Sequence, residues 1–95
     1  MRATHLQQVV GAMKQAILAD MAAGRVPARV GSYAALHDHV DANMYAFPVF
    51  VDLGLEGGDR GTELFNAAAD KVDRWIRGGA ARGALARLKA EGWRP

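Results

Sequence analysis

Residues 36–43 read LHDHVDAN, and His37, Asp38, His39, Asp41 and Asn43 place two imidazoles, two carboxylates and a carboxamide within seven positions. Imidazole and carboxylate are the side chains that bind divalent metals and relay protons near neutral pH. What decides between chemistry and mere composition is convergence, because a protein metal centre needs at least three donors aimed at one point. On an α-helix each residue advances about 100°, so His37 and His39 are separated by about 200° and face opposite sides. His37 and Asp41, at i and i+4, share a face and read as a hydrogen-bonded pair. A third donor would have to be His5, the one remaining histidine. A neighbouring His-Asp pair also occurs in metal-dependent phosphohydrolases, but those take further His and Asp ligands from separate helices. This chain offers no such set, and no metal or cofactor is expected.

Other catalytic inventories are equally short. The chain has no cysteine, which removes disulfides, thiolate zinc sites and a cysteine nucleophile together. Its one serine, Ser32, and two threonines, Thr4 and Thr62, stand where helix caps are expected. GLEGGDRG, over residues 54–61, holds four glycines but no lysine, and it fits neither a Walker pattern nor a dinucleotide fingerprint. Asp41, Glu56, Asp59 and Glu63 have no nucleophile to serve. A non-enzymatic protein is expected.

The elements that position these residues follow from hydrophobic spacing. Leu6, Val9, Val10, Met13, Ile17 and Met21 recur at three- and four-residue steps, which predicts a first helix capped by Thr4 and closed at Gly24. Gly11 inside it costs about 1 kcal/mol relative to alanine, pointing either to close packing or to a tolerated defect. Residues 25–31 break the helix, and Pro27 favours an extended connection. Ser32 then caps a second helix whose stripe is Tyr33, Leu36, Val40 and Met44, with His37 at its border and Asn43 at its fraying end. AFPVFVDLG, with its aromatics, β-branched residues and Pro48, reads as an extended or edge-strand segment over residues 47–53. After the flexible glycine-rich connector, a third helix is capped by Thr62 or Asp59. It buries Leu64, Phe65, Ala68, Val72, Trp75 and Ile76 and stops at Gly78-Gly79. A short basic helix with Leu85 and Leu88 inward ends at Gly92. The expectation is a mainly α protein: one small domain over residues 1–95, of three to four helices with one short extended segment.

Composition supports a folded chain, since 51% of the 95 residues are hydrophobic. The N-terminal MRATHLQQVVGAMKQ lacks an unbroken apolar core of the signal-peptide kind, and no window nears the roughly 20 apolar residues of a membrane span. A cytoplasmic location without membrane contact is expected. Charge is segregated. Residues 1–35 carry four bases and one acid, residues 36–70 one base and seven acids, and residues 71–95 seven bases and two acids, for a net charge of +2. Such a layout either pairs internally or steers a partner. Two surfaces follow as candidates for partner binding: an acidic one of Asp38, His39, Asp41, Asp52, Glu56 and Asp59, and a basic one of Arg82, Arg87, Lys89 and Trp93. Arginines interleaved with Trp75 and Trp93 make nucleic acid the alternative partner. The apolar spacing of Trp75 places it in the core, and Trp93 could instead fold back onto the core or anchor a partner protein.

Two stretches taken together, VGSYAALHDHVDANMY and FNAAADKVDRWIRGG, resemble a family of short bacterial proteins often associated with phages and plasmids. That family pairs an "SF-x-x-LHD-x-VDAN" helix with a later "V-D-x-WI" helix. The resemblance spans roughly residues 30–79, through Leu36, His37, Asp38, Val40, Asp41, Ala42 and Asn43, then Val72, Asp73, Trp75 and Ile76. AFPVFVDLG departs from the glycine-rich, acidic connector of the family. The resemblance implies an accessory protein of a mobile element that binds a larger host or phage complex, such as an anti-CRISPR-like inhibitor of a bacterial defence complex. It implies a binding surface and assigns no chemistry.

Overall fold

The structure is a computed structural model and describes residues 4–55 and 58–92. Four α-helices are present: α1 (His5–Ala22), α2 (Phe47–Asp52), α3 (Asp59–Arg77) and α4 (Ala80–Ala90). Two short 3₁₀ turns, Ala34–Asp38 and Ala42–Tyr45, lie between α1 and α2, and the described residues contain no strand.

Helix α1 begins as its sequence dictates. The Thr4 hydroxyl accepts from the Gln7 amide at 3.2 Å while the Gln7 side chain accepts from the Thr4 amide at 2.9 Å, closing a capping box. It ends in a Schellman motif, in which the Gly24 amide donates to the Met21 carbonyl and the Arg25 amide to the Asp20 carbonyl. Gly24 makes this possible by adopting φ +79°. Val9, Val10, Met13, Ile17, Leu18 and Met21 are buried against α3, α4, α2 and the second 3₁₀ turn. Gly11 is exposed and an added Cβ would meet nothing within 4 Å, so of the two readings of this glycine the tolerated defect holds. The following connector is not extended throughout, because the Val30 amide donates to the Pro27 carbonyl and closes a turn over buried Val26.

The second helix expected from Ser32 onward is corrected to two 3₁₀ turns. Ser32 does cap, its hydroxyl accepting from the Ala35 amide at 3.2 Å. The ladder is then interrupted at Asp41, which is extended (φ −73°, ψ 97°) and whose side chain accepts from the Asn43 amide at 3.1 Å. Short polar side chains compete in this way with a backbone helical bond. The interruption resets the apolar register. Tyr33 and Leu36 stay inside and Val40 is half-buried, but Met44 turns outward while Ala42, Tyr45 and Ala46 go in.

The extended or edge-strand segment is also corrected, since residues 47–52 form α2. Pro48 sits in its first turn, where a missing N–H leaves no helical bond unmade. A second Schellman pair closes it, with Gly54 donating to the Val51 carbonyl and Leu55 to that of Phe50. The glycine-rich connector is shorter than its composition suggests. Helix α3 begins at Asp59 behind Gly58, so neither Asp59 nor Thr62 is its cap and Gly61 lies buried within it. Ala68, Val72 and Ile76 are buried, and Leu64, Phe65 and Trp75 are half-buried. The Lys14 ammonium stands 5.3 Å from the centre of the Trp75 ring. After Gly78-Gly79, α4 buries Ala81 and Leu85 against α1 and α3, with Leu88 half-buried.

Candidate functional site

The LHDHVDAN segment is a structural hinge between the 3₁₀ turns. His37, Asp38, His39 and Asp41 are all exposed. The expected His37–Asp41 hydrogen bond is replaced by Asp41 holding the Asn43 amide and by His37 meeting the Tyr33 ring edge-on, at 6.0 Å between centroids. No group of three His, Cys, Asp or Glu side chains gathers among the described residues.

What the segment does is clamp itself to the rest of the fold. The Tyr33 amide donates to Asp73 Oδ1 at 2.8 Å, and Arg77 Nε donates to Asp73 Oδ2 at 2.6 Å. The first of these bonds, then the second, holds the Asp73 carboxyl below the usual carboxylate range. This joins VGSYAALHDHVDANMY to KVDRWI, two stretches about forty residues apart in sequence. The Tyr33 hydroxyl donates at 2.6 Å to the Ala42 carbonyl and so bridges the interruption between the turns. Burial, then the nearby Asp41 charge, pushes the Tyr33 phenol up to about 12. The Tyr45 hydroxyl donates to Asp20 Oδ2 at 2.8 Å, and burial followed by this bond raises its pKa as well. Asp20 also pairs with Arg25 at 2.7 Å, so the carboxylate ties the end of α1 to the second 3₁₀ turn.

The accessible feature lies on the other side of that turn. Met44, Phe47 and Val51 are 53%, 59% and 63% exposed and follow one another at helical spacing. Beside them a groove of about 270 Å³ runs between the second 3₁₀ turn, α2 and the first turns of α3, lined by Ala46, Phe47, Phe50, Phe65, Asn43 and Thr62 among others. It falls just under the roughly 300–1,000 Å³ of small-molecule sites, and it suits one or two apolar side chains. Helix α2 packs only one face inward: Val49, Phe50 and Leu53 lean on the core, and Phe47 and Val51, on another face, do not. Sequence reasoning missed this face. Its signal was the Met44, Phe47, Val51 spacing, which period-two reading of AFPVFVDLG obscures.

The two charged surfaces stand apart. Asp38 closes the first 3₁₀ turn, Asp41 opens the second, Asp52 ends α2 and Asp59 starts α3, all exposed. Asp41, Asp52 and Asp59, with Glu63, are within two residues in sequence of groove-lining positions, whereas Asp38 and His39 are farther along the hinge. No lysine or arginine occurs from Val30 to Asp59. Arg82, Arg87 and Lys89 are exposed on α4, which contains no acid. Glu56 and Trp93 lie outside the described residues. The ion pairs among the described residues are Asp20–Arg25, Asp70–Arg74 and Asp73–Arg77, all local in sequence. Only Asp70–Arg74 joins the acidic middle to a basic end, and it does so between neighbouring turns of α3, so pairing between the two goes no further among the described residues.

No described helix is long and apolar enough to cross a membrane. The chain matches no protein-family model, no curated protein and no solved structure.

Proposed function

We propose that this protein is a protein-binding module whose docking face is Met44, Phe47 and Val51 with the adjoining groove. Three large apolar side chains held in water, Met44 on the second 3₁₀ turn and Phe47 and Val51 on α2, carry this reading, because exposed apolar surface gathered on a small domain marks an interaction site. The residues expected at the interface divide accordingly: Asp41, Asp52 and Asp59 flank the face, and Arg82, Arg87 and Lys89 belong to a separate surface. The setting implied by the paired LHDxVDAN and VDxWI motifs is an accessory protein of a mobile element. Acting in the cytoplasm, it would occupy the surface of a larger host or phage complex, in the manner of an anti-CRISPR-like inhibitor, by binding and without catalysis. The test is affinity capture from the native host with wild type, with a Phe47→Ser/Val51→Ser variant and with an Arg82→Glu/Arg87→Glu/Lys89→Glu variant. A partner retained by wild type and by the charge-reversed protein, but lost by the serine variant, supports the reading. Capture indifferent to the serine pair refutes it.

A second reading rests on the basic helix. Arg82, Arg87 and Lys89 are exposed and none makes an ion pair among the described residues, leaving three guanidinium or ammonium groups for phosphates. A nucleic-acid regulator would give a mobility shift at low salt that weakens steeply as salt rises, and absence of any shift removes it.

A further inference from the structure

The docking face is bordered by carboxylates and by almost nothing that offsets them. Asp41 adjoins the Asn43 end of the groove through its bond to the Asn43 amide, Asp52 follows Phe50 and Val51 at the end of α2, and Asp59 and Glu63 bracket the α3 residues Gly61 and Thr62 that line it. None of the four makes an ion pair among the described residues. Arg60, the cation nearest in sequence, lines a neighbouring hollow together with Asp59, His5, Leu55 and Leu64, and Gly61 is shared between that hollow and the groove.

This border narrows the occupant. A second copy docked face to face would set Asp41, Asp52, Asp59 and Glu63 against their own counterparts, and like charges across an interface oppose association. A second copy docked through its basic α4 would present Ala80, Arg82, Gly83, Ala86, Arg87 and Lys89, with no large apolar side chain to fill the groove, because Leu85 and Leu88 pack inward. An anionic membrane surface or a nucleic acid is repelled by the same carboxylates. An extended peptide adding to a sheet edge has no edge to join among the described residues. What remains is a partner that carries apolar side chains and positive charge together, meeting a helical ridge.

We propose that the groove beside α2 receives a cationic amphipathic helix of a partner protein, its apolar side on Met44, Phe47 and Val51 and its lysines or arginines facing Asp41, Asp52, Asp59 and Glu63. This rests on the binding-module reading above and adds the chemistry of the partner. Apolar anchors supply the affinity, and the carboxylates supply orientation and selection.

The probe is a fluorescent 18-residue leucine/lysine peptide with its leucines on one helical face. Its comparators are a leucine/glutamate counterpart and a leucine/lysine peptide of the same composition with the leucines dispersed. Fluorescence anisotropy is measured on the full chain as wild type, as Phe47→Ser/Val51→Ser and as Asp41→Asn/Asp52→Asn/Asp59→Asn. The serine pair replaces exposed side chains, and asparagine keeps an acceptor oxygen for the Asn43 amide, so circular dichroism should be unchanged in both. The expected result is binding of the ordered lysine peptide alone, at least tenfold weaker with the serine pair. With the asparagine set, binding is ~tenfold weaker and its salt dependence shallower, as loss of three exposed charge contacts implies. Equal binding of the lysine and glutamate peptides, equal binding of the dispersed peptide, or indifference to the asparagine set overturns the proposal. So does sedimentation equilibrium showing a dimer that the serine pair dissolves. If the native partner is lost with the serine pair but retained undiminished with the asparagine set, the cationic-helix proposal fails and the binding module stands. If it is retained with the serine pair, both fail.

Discussion

Replacing Asp73 with alanine should destabilise this protein far more than replacing the arginine it pairs with. Asp73 divides its two oxygens between the Tyr33 amide at 2.8 Å and Arg77 at 2.6 Å. A hydrogen bond to a charged group contributes about 1.5–3 kcal/mol, and the amide left behind is partly buried. The Arg77 guanidinium is mostly in water, and an exposed i,i+4 ion pair contributes only about 0.3–0.5 kcal/mol. Asp73→Ala is therefore expected to cost about 2 kcal/mol and Arg77→Ala about 0.5 kcal/mol. For a domain of this size those losses correspond to Tm decreases of about 8–16 °C and about 2–4 °C. Urea denaturation followed by far-ultraviolet circular dichroism at pH 7, with thermal melts alongside, separates them. Asp73→Asn should fall between, since it keeps an oxygen for the amide without the charge. There is also a pH signature. The folded carboxyl ionises at lower pH than the unfolded one, so its contribution is complete above the ordinary value near 4 and fades as pH falls through the folded value. The difference between wild type and Asp73→Ala should accordingly shrink in acid. Equal losses for Asp73→Ala and Arg77→Ala would mean that the Tyr33 amide bond carries nothing, and the account of how the two motifs are joined would fall.

Tyr33→Phe removes the hydroxyl that bridges the 3₁₀ turns and leaves the Ala42 carbonyl unpaired in the interior, so chemical denaturation should show a loss of about 1–3 kcal/mol. In alkaline titration followed at the tyrosinate absorbance, Tyr33 should stay protonated well past pH 10. Its raised folded value, about 12, stabilises the fold fully below the unfolded pKa of about 10, and that contribution disappears as pH rises through 12. Gly11→Ala should raise stability by about 1 kcal/mol in the same melts, because the added methyl meets nothing and the helix loses its most flexible residue. Phe47→Ser/Val51→Ser should leave the denaturation midpoint within about 0.5 kcal/mol of wild type, since both side chains already face water.

The sequence made α1, α3 and α4 legible for one physical reason: each is long enough for a 3.6-residue stripe to repeat, and they are punctuated by the Thr4 side-chain cap and by Gly24 and Gly79, whose positive φ few other residues adopt cheaply. Legibility failed between Ser32 and Leu55, where no element exceeds six residues and a stripe has no room to repeat. There the fold is set by individual side-chain bonds. Asp41 chose to hold the Asn43 amide over continuing a helix, and that one bond moved Met44 from the expected core to the surface. Pro48 reads as a strand-edge residue or as a helix first-turn residue with equal ease, and the choice follows from α2 packing against α1. The Tyr33–Asp73 clamp was invisible for a different reason: nothing local to either residue announces a bond across forty positions.

The histidines and aspartates of LHDHVDAN look like a site because polar residues are dense there, yet their density serves the backbone. A chain that starts two 3₁₀ turns in succession leaves the first amides of each turn, and the Ala42 carbonyl, without helical partners, and Ser32, Asp41, Tyr33 and Asp73 each satisfy one of them. The same double turn is what frees Met44 and presents α2 with Phe47 and Val51 outward. Polar motif and apolar face are thus two consequences of one break in the chain at Asp41. Asp41 is moreover bonded to the groove-lining Asn43, and its second oxygen makes no hydrogen bond or ion pair among the described residues, so the residue that shapes the docking face also contributes charge beside it.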